Sequence, residues 1–251
     1  MNPEFYCRFL SPDPSLDIFV ESIGMFHNPS DKPKEVVVIP DGRVDLFFLQ
    51  SGPESFHILL IGLETAPEQR VIPPHTLAFV VSFRPLGAEY ILRTSIADIL
   101  NTAKELPIDF WNFTKDLMND FETFYHYISH TIKELIPEKT DSRKRLLFEF
   151  IYASKGEINV MELSEKVSWS SRQINRYFNK QFGLSLKSYS TILRFRASLE
   201  HIAEGKLFPE LNFTDQTHFI KEIKKFSGVI PKELAKNKDD RFILLSVLKQ
   251  K

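Results

Sequence analysis

The chain has 251 residues, 43% of them hydrophobic and 26% charged, with a formal net charge of −1, which is enough apolar mass for two domains of ordinary size, each with its own core. A single cysteine, Cys7, excludes an intramolecular disulfide and a cysteine-rich metal site and suits a reducing cytoplasm. No apolar run reaches bilayer-spanning length and no basic-then-apolar leader opens the sequence, so a soluble cytoplasmic protein without membrane contact is expected.

The near-zero charge hides a division. Residues 1–140 hold 11 Lys and Arg against 20 Asp and Glu, net −9, whereas residues 141–251 hold 21 against 13, net +8. An acidic half joined to a basic half assigns polyanion binding to the second. In the first half, Val36–Ile39, Val44–Leu49, Phe56–Ile61 and Leu77–Phe83 are short β-branched or aromatic runs. Pro40-Asp41-Gly42, Ser51-Gly52-Pro53 and Ile72-Pro73-Pro74 separate them, which predicts an antiparallel sheet or small barrel. Gly87 to Leu100 and Lys115 to Leu135 have helical spacing. Leu117, Phe121, Phe124, Ile128, Ile132 and Leu135 line one face of a helix from Thr114, as N-cap, to Pro137. That face either packs on the strand-rich domain or forms a seam with a second copy.

Chemistry-bearing residues are sparse in this half. His27, His57, His75, His126 and His130 show no H-x-H pair with a following Glu at cupin metal-binding spacing; His126 and His130, four apart on a predicted helix, have a spacing that could bind a metal, but two ligands are too few and the pair is read as a solvated helix face. Asp41 is read as a turn former and Asp45 as a neighbour of a buried strand. Arg84, at the end of an apolar run, pairs with an anionic effector or with an acid of its own domain. No nucleophile elbow or phosphate-cradling glycine loop occurs, so no enzyme, catalytic residue, metal or cofactor is expected.

Past the polar linker 138–142, Arg143 to Ser154 opens the basic half. Asn159 with Glu162, and Ser170 with Gln173, have capping-box spacing, and two helix starts so close leave room for one short helix between them. Ile174, Phe178 and Phe182 share the inner face of the second helix. Opposite lie Arg172, Arg176 and Asn179, flanked by Gln173, Asn175 and Lys180. Arg can bond a guanine edge bidentately, Asn and Gln an adenine edge, and Lys suits phosphates, so this face suits a DNA major groove. A long helix from Leu186 to Ile202 follows. Farther on, Phe219, Ile223 and Phe226 form an inner face with Thr217, Lys221 and Lys224 pointing away, and the terminal KNKDDRFILLSVLKQK carries an apolar run expected to pack back on the domain.

The run SSRQINRYFNKQFGLSLKSYSTILRFRASL resembles the first helix-turn-helix and connecting helix of AraC-type transcription regulators, and NFTDQTHFIKEIKKFSGVIPKEL resembles their second recognition helix and its closing G-x-x-P segment. The resemblance runs from near Arg143 to Leu234. It implies a two-lobed all-helical domain placing two recognition helices in successive major grooves, with Gln216, Thr217, His218 and Lys221 at positions that approach DNA in relatives; His218 has helix capping as its other reading. IPDGRVDLFF and VVSFRPLGAEYI resemble the N-terminal domain of a largely uncharacterised group of the same regulators, over about residues 15–111, a β-rich and in many relatives cupin-like effector sensor.

In one place the sequence departs from the family. Where relatives carry a scaffold helix before the second recognition helix, only EGKLFPELN stands, about five residues shorter and with Pro209 inside, where a proline costs a helix about 3 kcal/mol. A full scaffold helix is therefore not expected. The expected fold is α+β: a β-rich sensor or interaction domain at 1–111, a connecting helix at 112–140 and the helix-turn-helix domain at 141–251, which should bind DNA by itself. The expected function is sequence-specific transcription regulation on double-stranded DNA, with a small-molecule or protein effector and a homodimer as further partners. The alternatives are an enzymatic or ligand-binding β-domain with an accessory DNA-binding module, and a structural DNA binder without sequence preference.

Overall fold

Alternation builds the N-terminal sheet. In β4 (Val44–Ser51) Val44, Leu46 and Phe48 are buried while Asp45, Phe47 and Leu49 between them are half-buried, the period-two pattern of a strand with one face on a core. The computed structural model describes residues 5–52, 55–208 and 213–249. In it, β4 lies between β7 (Thr76–Phe83) and β5 (Ser55–Ile61) in a six-stranded antiparallel sheet of order β1-β2-β7-β4-β5-β8, with β1 at Tyr6–Leu10, β2 at Val20–Asn28 and β8 at Ala103–Leu106. Among the described residues the order ends at β1 on one side and β8 on the other, an open sheet. A separate two-stranded sheet joins β3 (Lys34–Val38) to β6 (Glu68–Ile72).

Two sequence expectations change here. Helical spacing over Gly87 to Leu100 yields α1, Pro85–Tyr90, and a separate 3-10 turn at Ala97–Ile99, because the chain leaves the helix at Ile91 and Arg93 takes a left-handed φ of 53°. The helix expected from Thr114 breaks as well. Residues Lys115–Met118 form a 3-10 turn, and α2 (Phe121–Leu135) begins only after Asp120, whose carboxylate accepts from the Thr123 N–H at 2.7 Å. The true N-cap is that aspartate.

The apolar face of α2 is core. Phe121, Phe124, Ile128 and Ile132 are all buried, and the Phe124 ring lies 4.7 Å from Phe79 of β7 and 5.2 Å from Phe48 of β4, with Phe113 also against Phe48 at 4.3 Å. Burying each such ring contributes about 1.5–3 kcal/mol, and a face committed in this way is not open to a second copy of the chain. The dimer-seam reading of this face is thereby replaced by its alternative.

The chain divides into two compact units. Unit 1 takes the described residues of 1–34, 43–62 and 71–140; unit 2 takes those of 35–42, 63–70 and 141–251. Most of the β3–β6 pair is thus counted with the helices. In unit 2, the Val37 N–H donates to the Arg241 carbonyl at 2.7 Å and the Tyr189 hydroxyl donates to the Gly42 carbonyl at 3.3 Å. Gly42 has φ +76°, and a Cβ on it would come within 3.1 Å of the Leu193 side chain and 3.2 Å of Tyr189, so the Pro-Asp-Gly turn needs its glycine twice over.

The helices of unit 2 are α3 (Ser142–Ala153), α4 (Val160–Val167), α5 (Ser171–Phe182), α6 (Leu186–Ala203), α7 (Gln216–Ser227), α8 (Pro231–Lys236) and α9 (Ile243–Lys249). An aromatic cluster holds the first lobe: Phe148 of α3, Phe178 and Phe182 of α5 and Tyr189 of α6 are fully buried, with the Phe148 ring 5.7 Å from Phe178 and 6.1 Å from Tyr189. Phe195 of α6 against Phe226 of α7, at 5.1 Å, opens the second lobe. The terminal run folds back as expected, with Phe242 and Leu245 buried and α9 packed on α6. Between α6 and α7 no helix appears among the described residues; Pro209 and the rest of 209–212 lie outside them.

Candidate nucleic-acid interface

Two caps fix the first helix-turn-helix. Asn159 accepts from the N–H groups of Met161 and Glu162, both at 3.0 Å, and starts α4; Ser168, at φ 53°, ends it. Ser170 then caps α5 in a reciprocal box: its hydroxyl accepts from the Gln173 N–H at 3.3 Å, and the Gln173 side-chain oxygen accepts from the Ser170 N–H at 2.8 Å. Gly183, at φ 74°, closes the helix. Ile174, Phe178 and Phe182 are completely buried, so the helix cannot rotate and its outer face is determined.

Arg172, Gln173, Arg176, Asn179 and Lys180 are exposed on that face and Asn175 is half-buried. Local bonding distinguishes among them. The Gln173 amide oxygen serves the cap, and the Asn175 and Asn179 amides donate to the carbonyls of Ser171 at 3.0 Å and Asn175 at 2.9 Å. A bidentate bond to adenine needs the amide oxygen and one N–H, so each of the three would have to share its amide between its helix bond and a base. Arg172 and Arg176, four residues apart on one stripe, present guanidinium forks to the outside.

The second helix is held differently. Asp215 caps α7, accepting from the His218 N–H at 2.8 Å, and Gly228 ends it. Without a scaffold helix among the described residues, two other ties hold it. Glu222 of α7, 8% exposed, pairs with Arg194 of α6 at 3.4 Å, and the Gln216 amide donates to the Leu207 carbonyl at 3.0 Å. Gln216 is accordingly half-buried and turned toward the shortened segment. The His218 ring accepts from the Thr214 N–H at 3.3 Å and meets the Phe213 ring edge-on, the capping alternative. Thr217, Lys221 and Lys224 are exposed. Gln216→Ala should therefore lower the melting temperature, by about 2–4 °C for each kcal/mol lost, and leave sequence preference in DNA binding nearly unchanged. A change of preference as large as that of an Arg176 variant would mean that Gln216 leaves Leu207 for a base.

In unit 1, Arg84 bonds the Glu21 carboxylate at 2.9 Å, and the same oxygen accepts from Arg43, which is 4% exposed, at 2.9 Å. Arg84 thus has the internal partner as its observed contact. Among the described residues no group of three or more His, Cys, Asp or Glu side chains could hold a metal ion. His126 and His130 are exposed on α2, the latter 3.4 Å from Glu134. One arrangement was hidden in the sequence: the Ser55 hydroxyl meets His57 Nε2 at 2.9 Å and His57 Nδ1 meets Glu105 at 2.7 Å, across the β5–β8 pair. The His57 and Glu105 side chains are 45% and 61% exposed, so the water exclusion that makes such a relay effective is missing. No helix among the described residues is long and apolar enough to cross a membrane.

A second feature the sequence did not single out lies beside α5. Arg143, Trp169, Gln173, Arg176, Tyr177 and Lys180 line a cleft of about 480 Å³.

Residues 8–105 match the family model described as a domain of unknown function, DUF6597. The chain is 30% identical over 103 residues to the uncharacterized HTH-type transcriptional regulator YbfI of Bacillus subtilis (strain 168); the aligned region is 39% of this chain and spans 37% of that protein's length. Among solved structures, ToxT from Vibrio cholerae is similar at 11% identity and a TM-score of 0.45, covering 93% of this chain and 98% of that one. Unsaturated-fatty-acid-bound wild-type ToxT from strain SCE256 is similar at 10% identity and 0.38, covering 94% and 96%.

Proposed function

We propose that this chain, of the AraC type in its helix-turn-helix half and matched to DUF6597 in its sheet half, is a sequence-specific DNA-binding regulator of transcription that acts in the cytoplasm and is modulated through its N-terminal domain. The observation that carries this reading is α5: a helix capped at both ends, locked by three buried side chains, and offering two exposed arginines four residues apart. The excess of eight positive charges in residues 141–251 supplies the attraction to phosphate. Arg172 and Arg176 read bases, Gln173 orients the helix start, Asn175 and Asn179 adjust to the groove, and Lys180 takes phosphate. On α7, Thr217, Lys221 and Lys224 anchor the backbone, with Gln216 and His218 at the entry to that helix. A small molecule or protein acting on residues 1–111 is the effector in this reading, with 112–140 as the connection to the binding domain and a homodimer as the working form.

Selection of binding sites from random duplexes with the full chain tests the proposal. A recovered consensus supports it; duplexes bound without preference would indicate a structural DNA binder, and turnover of a small molecule without DNA an enzyme. On the best site, Arg176→Ala should reduce binding by about 1–3 kcal/mol and flatten preference at one base position, while hardly changing affinity for random DNA. Lys224→Ala should weaken both duplexes alike and lower the salt slope by about one. Equal effects of the two variants on sequence preference would remove the division of labour between the helices.

A further inference from the structure

The cleft beside α5 joins two elements. Trp169 precedes the α5 cap, Gln173, Arg176, Tyr177 and Lys180 come from α5 itself, and Arg143 comes from the first turn of α3. Three of the six lining residues are cations and none is an acid. Arg143 is fixed before any ligand arrives: its Nε and one Nη donate to Asp141 at 3.1 and 2.8 Å, and its guanidinium lies over the Trp169 ring at 5.2 Å from the centroid. Two of five donors are engaged in that fork, so the outer edge of the group still carries N–H bonds. Lys144 sits over Tyr177 at 4.8 Å, and the Trp169 and Tyr177 rings meet edge to face at 5.5 Å. Two aromatic rings with a cation on each make a wall alongside the outer face of the recognition helix, the charge of Arg143 being partly offset by the Asp141 carboxylate that holds it. Arg143 remains 51% exposed in its side chain.

Such a wall, next to a helix suited to a major groove, matches the phosphodiester that borders that groove. Resting on the DNA-binding reading above, we propose that this cleft is a backbone clamp: Arg143, held on Trp169, and Lys180 grip a phosphate of the duplex strand flanking the groove and set the depth at which Arg172 and Arg176 meet the bases. Arg143 and Trp169 are therefore part of the interface although they lie outside the recognition helix. The clamp reads no sequence. It positions the residues that do.

The experiment compares full-length parent, Arg143→Ala, Arg143→Lys and Trp169→Leu on the selected duplex and on a random duplex over a series of salt concentrations. Arg143→Ala should weaken both duplexes by the same factor, several-fold at the lowest salt, and lower the salt slope by about one with base preference intact. Arg143→Lys should restore the slope and only part of the affinity, because a lysine keeps the charge and loses the planar fork. Trp169→Leu, which keeps every charge, should weaken both duplexes by a smaller factor. Arg143 is half-exposed, so melting curves of the variants should match the parent. An Arg143→Ala protein with a lowered melting temperature but unchanged affinity and slope would make the residue a helix-capping accessory and overturn the clamp, as would a changed base preference. Inorganic phosphate titrated calorimetrically into the DNA-free chain supplies another arm: saturable binding abolished by Arg143→Ala, with DNA affinity untouched, would assign the cleft to a small free anion and overturn the proposal. If the parent binds no duplex at all, the DNA-binding reading fails and takes the clamp with it.

Discussion

Full-length protein carrying Phe121→Asp and Ile128→Asp should lose the cooperative melting of its sheet unit and precipitate or expose its core. Both side chains are buried, Phe121 at 6% and Ile128 at 0% exposure, with the Phe121 ring 5.4 Å from Phe79 of the central strand β7. A buried, unpaired carboxylate is destabilising by several kcal/mol even after relaxation, and two of them approach the whole stability of an ordinary domain, roughly 5–15 kcal/mol. Circular dichroism melting and sedimentation check the outcome. A soluble, folded monomer would show that the α2 face can be hydrated without loss of the core and would restore the idea of an intersubunit seam there.

The second large effect concerns truncation. Residues 141–251 alone would lack 35–42 and 63–70, which belong with the helices in unit 2. The Tyr189 hydroxyl would lose the Gly42 carbonyl, Leu193 the backbone that lies against it, and the Arg241 carbonyl the Val37 N–H. Partly uncovering two large side chains that were buried is worth on the order of 3 kcal/mol. For a fragment of about a hundred residues that shift corresponds to a melting temperature lower by roughly 10 °C or more. The fragment should therefore melt well below the helical transition of the full chain and bind the selected duplex more weakly at equal temperature. Equal melting temperatures would show that the helices are self-sufficient and that the fragment is an independent binding domain, as composition alone suggests.

How much of this was legible follows from where each signal resides. The caps of α4 and α5 are written in neighbouring residues, Asn159 with Glu162 and Ser170 with Gln173, and the structure realises both helix starts at those positions. Strands β4, β5 and β7 announce themselves by alternation or by unbroken apolar runs bounded by turns. Strand β2 does not, because Glu21, Ser22, Gly24 and His27 interrupt its pattern, and β6 and β8 are polar and largely exposed, paired by neighbours the local sequence cannot name. The candidate reading face divides in the same way. Which α5 residues point outward follows from 3.6-residue periodicity, but the use of the Gln173 oxygen, the back-bonded asparagines and the inward turn of Gln216 depend on the backbone within reach. The Arg143–Trp169 contact spans α3 to the turn before α5. Its only trace in the sequence is an aromatic residue just ahead of a helix cap.

The division into units also has a consequence for synthesis and for proteolysis. The backbone passes from one unit to the other at 34–35, 42–43, 62–63, 70–71 and 140–141. Segments 35–42 and 63–70 leave the ribosome long before the helices that will hold them, so the turn at Gly42 waits without its partner Tyr189 until the second half of the chain has emerged. A nascent chain stalled near residue 140 should accordingly present this stretch to chaperones. For the finished protein, one cut in the linker between Ile136 and Asp141 should not release the helical half, because the N-terminal piece still contributes the Val37 and Gly42 contacts; the two pieces are expected to travel together on size exclusion until they are melted apart.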